Sequence, residues 1–170
     1  MLAQAVSPAA QDIARQALRN AEAALDAAEQ EGEPALLSQA LAWVAHCHRQ
    51  VGALAEAVWY AKRGLAVARG LPAVDASVDA LCMLAELSVE RAARLDASDE
   101  PRGVHRLHDA ARDYAFEASQ IVQHCADANW EVAVLMRAAE VLDSNGDHDD
   151  AIVLQQRMIQ LITERSSAQL

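Results

Sequence analysis

Apolar residues recur at helical spacing along the chain, most clearly over 41–70, LAWVAHCHRQVGALAEAVWYAKRGLAVARG. That stretch reads as two amphipathic helices packed back to back across a tight turn at Gly52. Small residues stand where the two helices must touch: Ala45 in the first, Ala57 and Ala61 in the second. Larger apolar residues surround them, among them Leu41, Val44, Val51, Leu54, Trp59 and Leu65. Upstream, Ser7-Pro8 is a good helix start, and Glu31-Gly32-Glu33-Pro34 stops that helix and begins the next. Ile13, Ala17, Ala21, Ala24 and Leu25 share one side of it. The pattern predicts seven helices, over 7–30, 34–51, 53–69, 73–95, 104–125, 128–144 and 148–165.

The pattern also repeats. A shift of 40 carries Ala17, Ala21 and Leu25 onto Ala57, Ala61 and Leu65, and Leu41 and Ala45 onto Leu81 and Ala85. A shift of 54 carries Ala57, Ala61, Leu81 and Ala85 onto Ala111, Ala115, Leu135 and Ala139. The extra 14 residues belong to the middle unit's turn, where ARLDASDEPRGVHRLH stands in place of a short glycine turn. A shift of 94 carries Ala45, Gly52 and Ala57 onto Ala139, Gly146 and Ala151.

Ala45, Gly52, Leu54, Ala57, Ala61 and Gly64 resemble the tetratricopeptide repeat (TPR), a helix–turn–helix unit of about 34 residues that stacks into solenoids. The resemblance implies an all-α fold, a right-handed α–α superhelix of about seven antiparallel helices. Residues 1–170 then form one domain: a half-unit at 7–30, a repeat at 34–70, an expanded repeat at 73–126 and a repeat at 128–165. His48, Ser88 and Leu142 replace the family's tyrosine, and the 40-residue step is similar to the longer repeats of sensor and scaffold regions in bacterial regulators.

Composition agrees with packed helices. Apolar residues are 53% of the chain but aromatics only 4%, so helices must meet through Ala, Leu and Val. The net charge of −11 makes nucleic acid and anionic membranes unfavourable partners and basic peptides favourable ones. Thirteen of the fourteen basic residues are Arg, with Lys62 the exception, which reads as coding bias. Cys47, Cys82 and Cys125 form no CxxC pair and read as reduced thiols of a cytoplasmic protein. Residues 1–10 do not read as a signal peptide, nor does any run reach the length of a membrane span.

Catalytic and metal motifs are absent from the pattern, so no enzyme and no cofactor is expected. His46 and His48 flank Cys47 but diverge by about 200° on a helix, so they cannot share an ion. His105 and His108 share a face, with Asp109 or His148 as distant third ligands, and read as a solvated pair beside a polar loop at 97–102. Asp147-His148-Asp149-Asp150 lacks the ligand spacing of a calcium loop and reads as acidic capping of the last helix.

What the resemblance implies for function is a concave groove lined by the first helix of each pair, holding a protein or peptide. Carried onto this chain, the groove positions around Ala45 include Gln39, Trp43, His46, Arg49 and Gln50. Around Ala85 they include Asp79, Cys82, Met83, Glu86 and Glu90, and around Ala139, Met136, Arg137 and Glu140. Methionines and an aromatic rimmed by charge suit an amphipathic segment with basic residues. The lysine/asparagine clamp that some TPR proteins use on chaperone tails is replaced here by Ala42, His46, Asp79, Met83 and Arg137. Ile152, Ile159 and Ile162 on the last helix, with a first helix that lacks its mate, make the terminal helices the expected surface for a second copy or a further domain. The alternative is the N-terminal sensory or dimerising region of a larger bacterial signalling protein, such as a diguanylate cyclase, with the catalytic domain outside this chain. Small-molecule sensing with Trp43 as a stacking platform is a third possibility.

Overall fold

The computed structural model describes residues 8–95 and 100–168. It is all-α: α1 (Pro8–Glu31), α2 (Pro34–Gln50), α3 (Leu54–Ala68), α4 (Asp75–Arg94), α5 (Pro101–Val122), α6 (Ala128–Asn145) and α7 (His148–Ala168). No strand occurs among the described residues. Neighbouring helices pack in sequence order, the solenoid-like order that the periodicity predicts. Internal contacts group the chain into two compact units, Met1–Ala76 and Ser77–Leu170.

The helix limits follow local chemistry. Pro34 and Pro101 each open a helix, where a missing N–H costs nothing. Asp127 caps α6 by accepting hydrogen bonds from the backbone N–H groups of Asn129 and Trp130 at 2.9 and 3.2 Å. Gly52 and Gly146 end their turns at φ of 81° and 90°, a conformation that a side chain would strain. Three boundaries differ from expectation by three residues: α5 ends at Val122 rather than 125, α7 runs to Ala168 rather than 165, and the start of α5 moves as well. The fifth helix begins at Pro101 rather than at 104, because the Glu100 carbonyl already accepts the N–H groups of Gly103 and Val104. Pro101 and Arg102 therefore belong to α5 and not to the polar loop, and Ala97, Ser98 and Asp99 lie outside the described residues.

In the first unit, Ala21, Leu25 and Ala28 of α1 pack with Ala40, Leu41, Val44 and Cys47 of α2, and Tyr60 and Val67 of α3 close the cluster. Helices α2 and α3 approach closely at Gly64, where an added Cβ would lie 3.5 Å from the Leu41 Cβ. That is ordinary contact, so the site has room for one methyl. Gly64→Ala is expected to stabilise the protein by about 0.5–1 kcal/mol, because alanine removes the backbone entropy that glycine loses in a helix. A rise in melting temperature checks it; a fall would mean that the added methyl does not fit between α2 and α3.

The second unit has its own core. Ala85 of α4, Ala111 and Ala115 of α5, Leu135, Ala139 and Leu142 of α6, and Ala151, Leu154 and Leu161 of α7 form one buried cluster. Arg157 and Arg165 of α7 reach Glu131 and Asn129 of α6 in reverse order, as antiparallel helices require. Glu131 is only 4% exposed, and its carboxylate accepts from Arg157 Nε at 3.1 Å.

Three positions expected among the core are on the surface. Trp59 is 54% exposed because it lies two residues, about 200° around the helix, from buried Ala57. Ile13 is exposed because Ala21, Leu25 and Ala28 sit about 60–120° around α1 from it. Val51 stands in the turn after α2 rather than on its buried face.

Candidate partner-binding faces

The exposed face of α2 follows directly from its buried one. Leu41, Val44, Ala45 and Cys47 are turned into the first unit, which leaves Gln39, Trp43, His46 and Gln50 on the outside, with Arg49 half-buried. Trp43 is 46% exposed, too open for a core tryptophan. His46 and Gln50, one turn apart, meet side chain to side chain at 2.9 Å. His48 diverges as the spacing predicts: its ring stacks on Tyr60 at 5.1 Å, beside a buried Cys47 thiol.

On the second unit, Asp79, Met83, Glu86 and Glu90 recur every three or four residues along α4 and share one stripe. Of the α6 candidates, Met136, Arg137 and Glu140, it is Arg137 that reaches this stripe. Arg137 binds the two helices together. Its Nη2 lies 2.9 Å from Glu86 Oε1 and its Nη1 lies 3.3 Å from Asp79 Oδ1, so one guanidinium spans two turns of α4. These contacts are partly exposed and contribute modestly to stability. Their larger effect is to fix Arg137 across α4 and α6. Met136 is half exposed and Glu140 exposed at its side, while Met83 is half-buried.

Cys82 is the departure. The family register puts it in the groove, but it is 2% exposed. It lies about 60° around α4 from Asp79, toward buried Val78, Leu81 and Ala85. Burial pushes its thiol up to about 11, the nearby Arg137 charge opposing that rise. A buried thiol protonated at neutral pH is a packing group and not a nucleophile.

The metal candidates separate. His105 pairs with Asp109 on its own helix at 3.4 Å, and the His108 ring meets the Asn145 side chain. His148 pairs with Asp143 at 2.7 Å. Among the described residues, no three His, Cys, Asp or Glu side chains come together in a metal-binding arrangement. Asp147 turns its carboxylate to Arg112, at 2.9 Å, and to Asn145. Burial works to raise the Asp147 pKa, but the hydrogen bonds from Asn145 and Arg112 outweigh it and hold the carboxyl below its ordinary value. This network ties α5 to the α6–α7 turn, while Asp149 and Asp150 occupy the first turn of α7.

One surface cluster has no counterpart in the sequence reading. Arg63 lies over the Trp59 ring at 5.2 Å and pairs with Glu29 of α1 at 2.8 Å, while Tyr60 meets Trp59 edge-on. The i, i+4 spacing of Trp59 and Arg63 is the signal that would have found it.

No family model matches the chain, and neither does any curated protein. The solved structures it is similar to include two that match over most of its length. One is the DHF58 filament, 20% identical with a TM-score of 0.47, covering 91% of this chain and 84% of that one. The other is BtubC (BKLC) from P. vanneervenii, 14% identical with a TM-score of 0.31, covering 93% of this chain and 91% of that one. Both likenesses are too loose to assign a family. No helix among the described residues is long and apolar enough to cross a membrane.

Proposed function

We propose that this chain is a non-enzymatic protein–protein interaction module that takes up a peptide or helix of a partner protein on its exposed helix faces. The observation that carries the reading is the α4–α6 face. There Arg137 of α6 pairs with Asp79 and Glu86 of α4, whose stripe also carries Met83 and Glu90, while α6 exposes Met136 and Glu140. Flexible thioethers adapt to varied apolar side chains. An excess of carboxylates attracts a basic partner and speeds its encounter in low salt. Exposed Trp43 gives the first unit an apolar contact of its own on α2. The TPR resemblance supports the same reading, since the family holds partner segments on the corresponding helices. Free thiols at Cys47, Cys82 and Cys125 suit a reducing compartment such as the cytoplasm.

Selection of helical peptides from a display library on the purified chain tests the proposal. The expected winners carry apolar side chains at helical spacing, flanked by Lys or Arg. Binding of a winning peptide, read by fluorescence anisotropy, is expected to weaken about tenfold on Met136→Glu and to weaken further as salt rises. Acidic winners, or winners indifferent to Met83→Glu, Met136→Glu and Trp43→Ala alike, would overturn it.

A further inference from the structure

We infer that Asn145 is a modification site, a residue ready to lose ammonia to the Gly146 nitrogen, and that the fold holds it unreacted until the α6–α7 turn opens. The residues that follow the asparagines of this chain are Ala21, Trp130 and Gly146. The reaction requires the next residue's backbone nitrogen to reach the carboxamide carbon, and a side chain on that residue obstructs the approach. Glycine has none, so Asn145-Gly146 is the reactive pair.

The groups that must move are tied down in the fold. Asn145 is the last residue of α6, and Gly146 caps that helix with φ of 90°. The Gly146 N–H donates to the Asp143 carbonyl at 3.1 Å, so the attacking nitrogen is already engaged. The Asn145 carboxamide is held through both of its polar atoms. Its Nδ2 donates to the His108 carbonyl at 3.1 Å and to the Asp147 carboxylate. That leaves Oδ1 to accept from His108 Nδ1. Asp147 is anchored in turn by Arg112, at 2.9 Å. Gly146 is exposed and Asn145 half-buried, so water reaches the pair as soon as these bonds part.

The chemistry needs nothing but water. The Gly146 nitrogen gives up its proton and bonds to Asn145 Cγ, the Cγ–Nδ2 bond breaks, and ammonia leaves with a proton in exchange. Water then opens the cyclic imide at one carbonyl or the other, giving aspartate or isoaspartate at position 145. Either product undoes the network. The amide donors to His108 and Asp147 are lost, and a carboxylate stands beside Asp147 in their place. Isoaspartate also lengthens the backbone where α6 is capped. The step runs one way, so a turn that opens and reacts closes less well afterwards.

Peptide mapping by mass spectrometry tests the inference on the purified chain, held at mildly alkaline pH with and without unfolding urea. In urea, Asn145 is expected to become the acid well before Asn20 or Asn129. In the folded chain the conversion is expected to be more than about tenfold slower, because it waits on a local opening. Gly146→Ala, examined in urea where folding plays no part, is expected to slow it severalfold. His108→Ala removes one bond from the carboxamide and is expected to speed the folded chain's conversion severalfold, with its helical circular dichroism unchanged. Asn145→Asp is expected to lower the melting temperature by a few degrees, as the reaction product would. Conversion as fast folded as unfolded, an Asn145 that outlasts the other asparagines in urea, or a Gly146→Ala chain that reacts at the wild-type rate would each overturn the inference. So would a folded His108→Ala chain no faster than the wild type, or an Asn145→Asp chain that melts with it.

Discussion

Methionine in place of Arg157 is expected to destabilise the second unit by about 2–4 kcal/mol, a large loss for a residue that stands partly in solvent. Its partner is the cause. Glu131 is 4% exposed and receives Arg157 Nε at 3.1 Å. Methionine keeps an apolar stem of similar length but withdraws the guanidinium, leaving a buried carboxylate without its counter-charge. Breaking a fully buried pair costs about 3–5 kcal/mol, and two features lower that here. The Arg157 side chain is 37% exposed, so water shares its role, and Glu131 sits in the first turn of α6, where the helix dipole favours a negative charge. The double variant Glu131→Met, Arg157→Met is expected to recover most of the loss, because it removes the buried charge as well as its partner. Urea unfolding of the two variants measures both quantities. A single variant within about 0.5 kcal/mol of the wild type would mean that Glu131 is well solvated without Arg157.

Most of the fold was legible because close helix packing constrains residue size. Ala45, Ala57, Ala61, Ala85, Ala111, Ala115 and Ala139 were singled out by repeated spacing, and all are buried. A helix crossing leaves room for little beyond a methyl group, so the requirement shows in the sequence itself. The start of α5 was misplaced because aligning the repeats says nothing about how a longer turn is spent; Pro101 and the Glu100 carbonyl decide it. Trp59 was misjudged on hydrophobicity when its angle from Ala57 already put it outside.

The candidate faces were read with the same strength and the same weakness. The TPR register picked out Trp43, Met136 and Glu140, which are exposed, and Asp79, Met83, Glu86 and Glu90, which share one stripe of α4. It failed at Cys82, which lies at the border of that stripe, where a carried-over register cannot tell a wall from a floor. The Glu131–Arg157 pair was missed although a signal was present. Glu131 precedes Val134 and Leu135 by three and four residues, so it continues their buried stripe, and a glutamate on such a stripe requires a partner. Which cation supplies it depends on α7 packing back on α6, and the sequence pattern alone does not pair distant side chains.

Truncation of Leu135 is expected to cost about 3–5 kcal/mol, in the upper part of the range for a leucine in a core. Leu135 is fully buried in a cluster rich in alanine, with Ala85, Ala111, Ala115, Ala138, Ala139 and Ala151 beside leucines and a valine. Alanines cannot rotate or extend to fill the space that Leu135→Ala leaves, so the cavity persists unless whole helices move. Met136, the next residue, is half exposed, about 100° around α6 from it. Met136→Ala is therefore expected to cost less than about 1 kcal/mol while weakening the peptide binding proposed for this face. Thermal melts of the two variants, read beside anisotropy titrations of the stable one, separate fold from function at adjacent positions. Similar losses of stability in both would mean that Met136 is covered by packing, and the α4–α6 face would then have no thioether to offer a partner at that place.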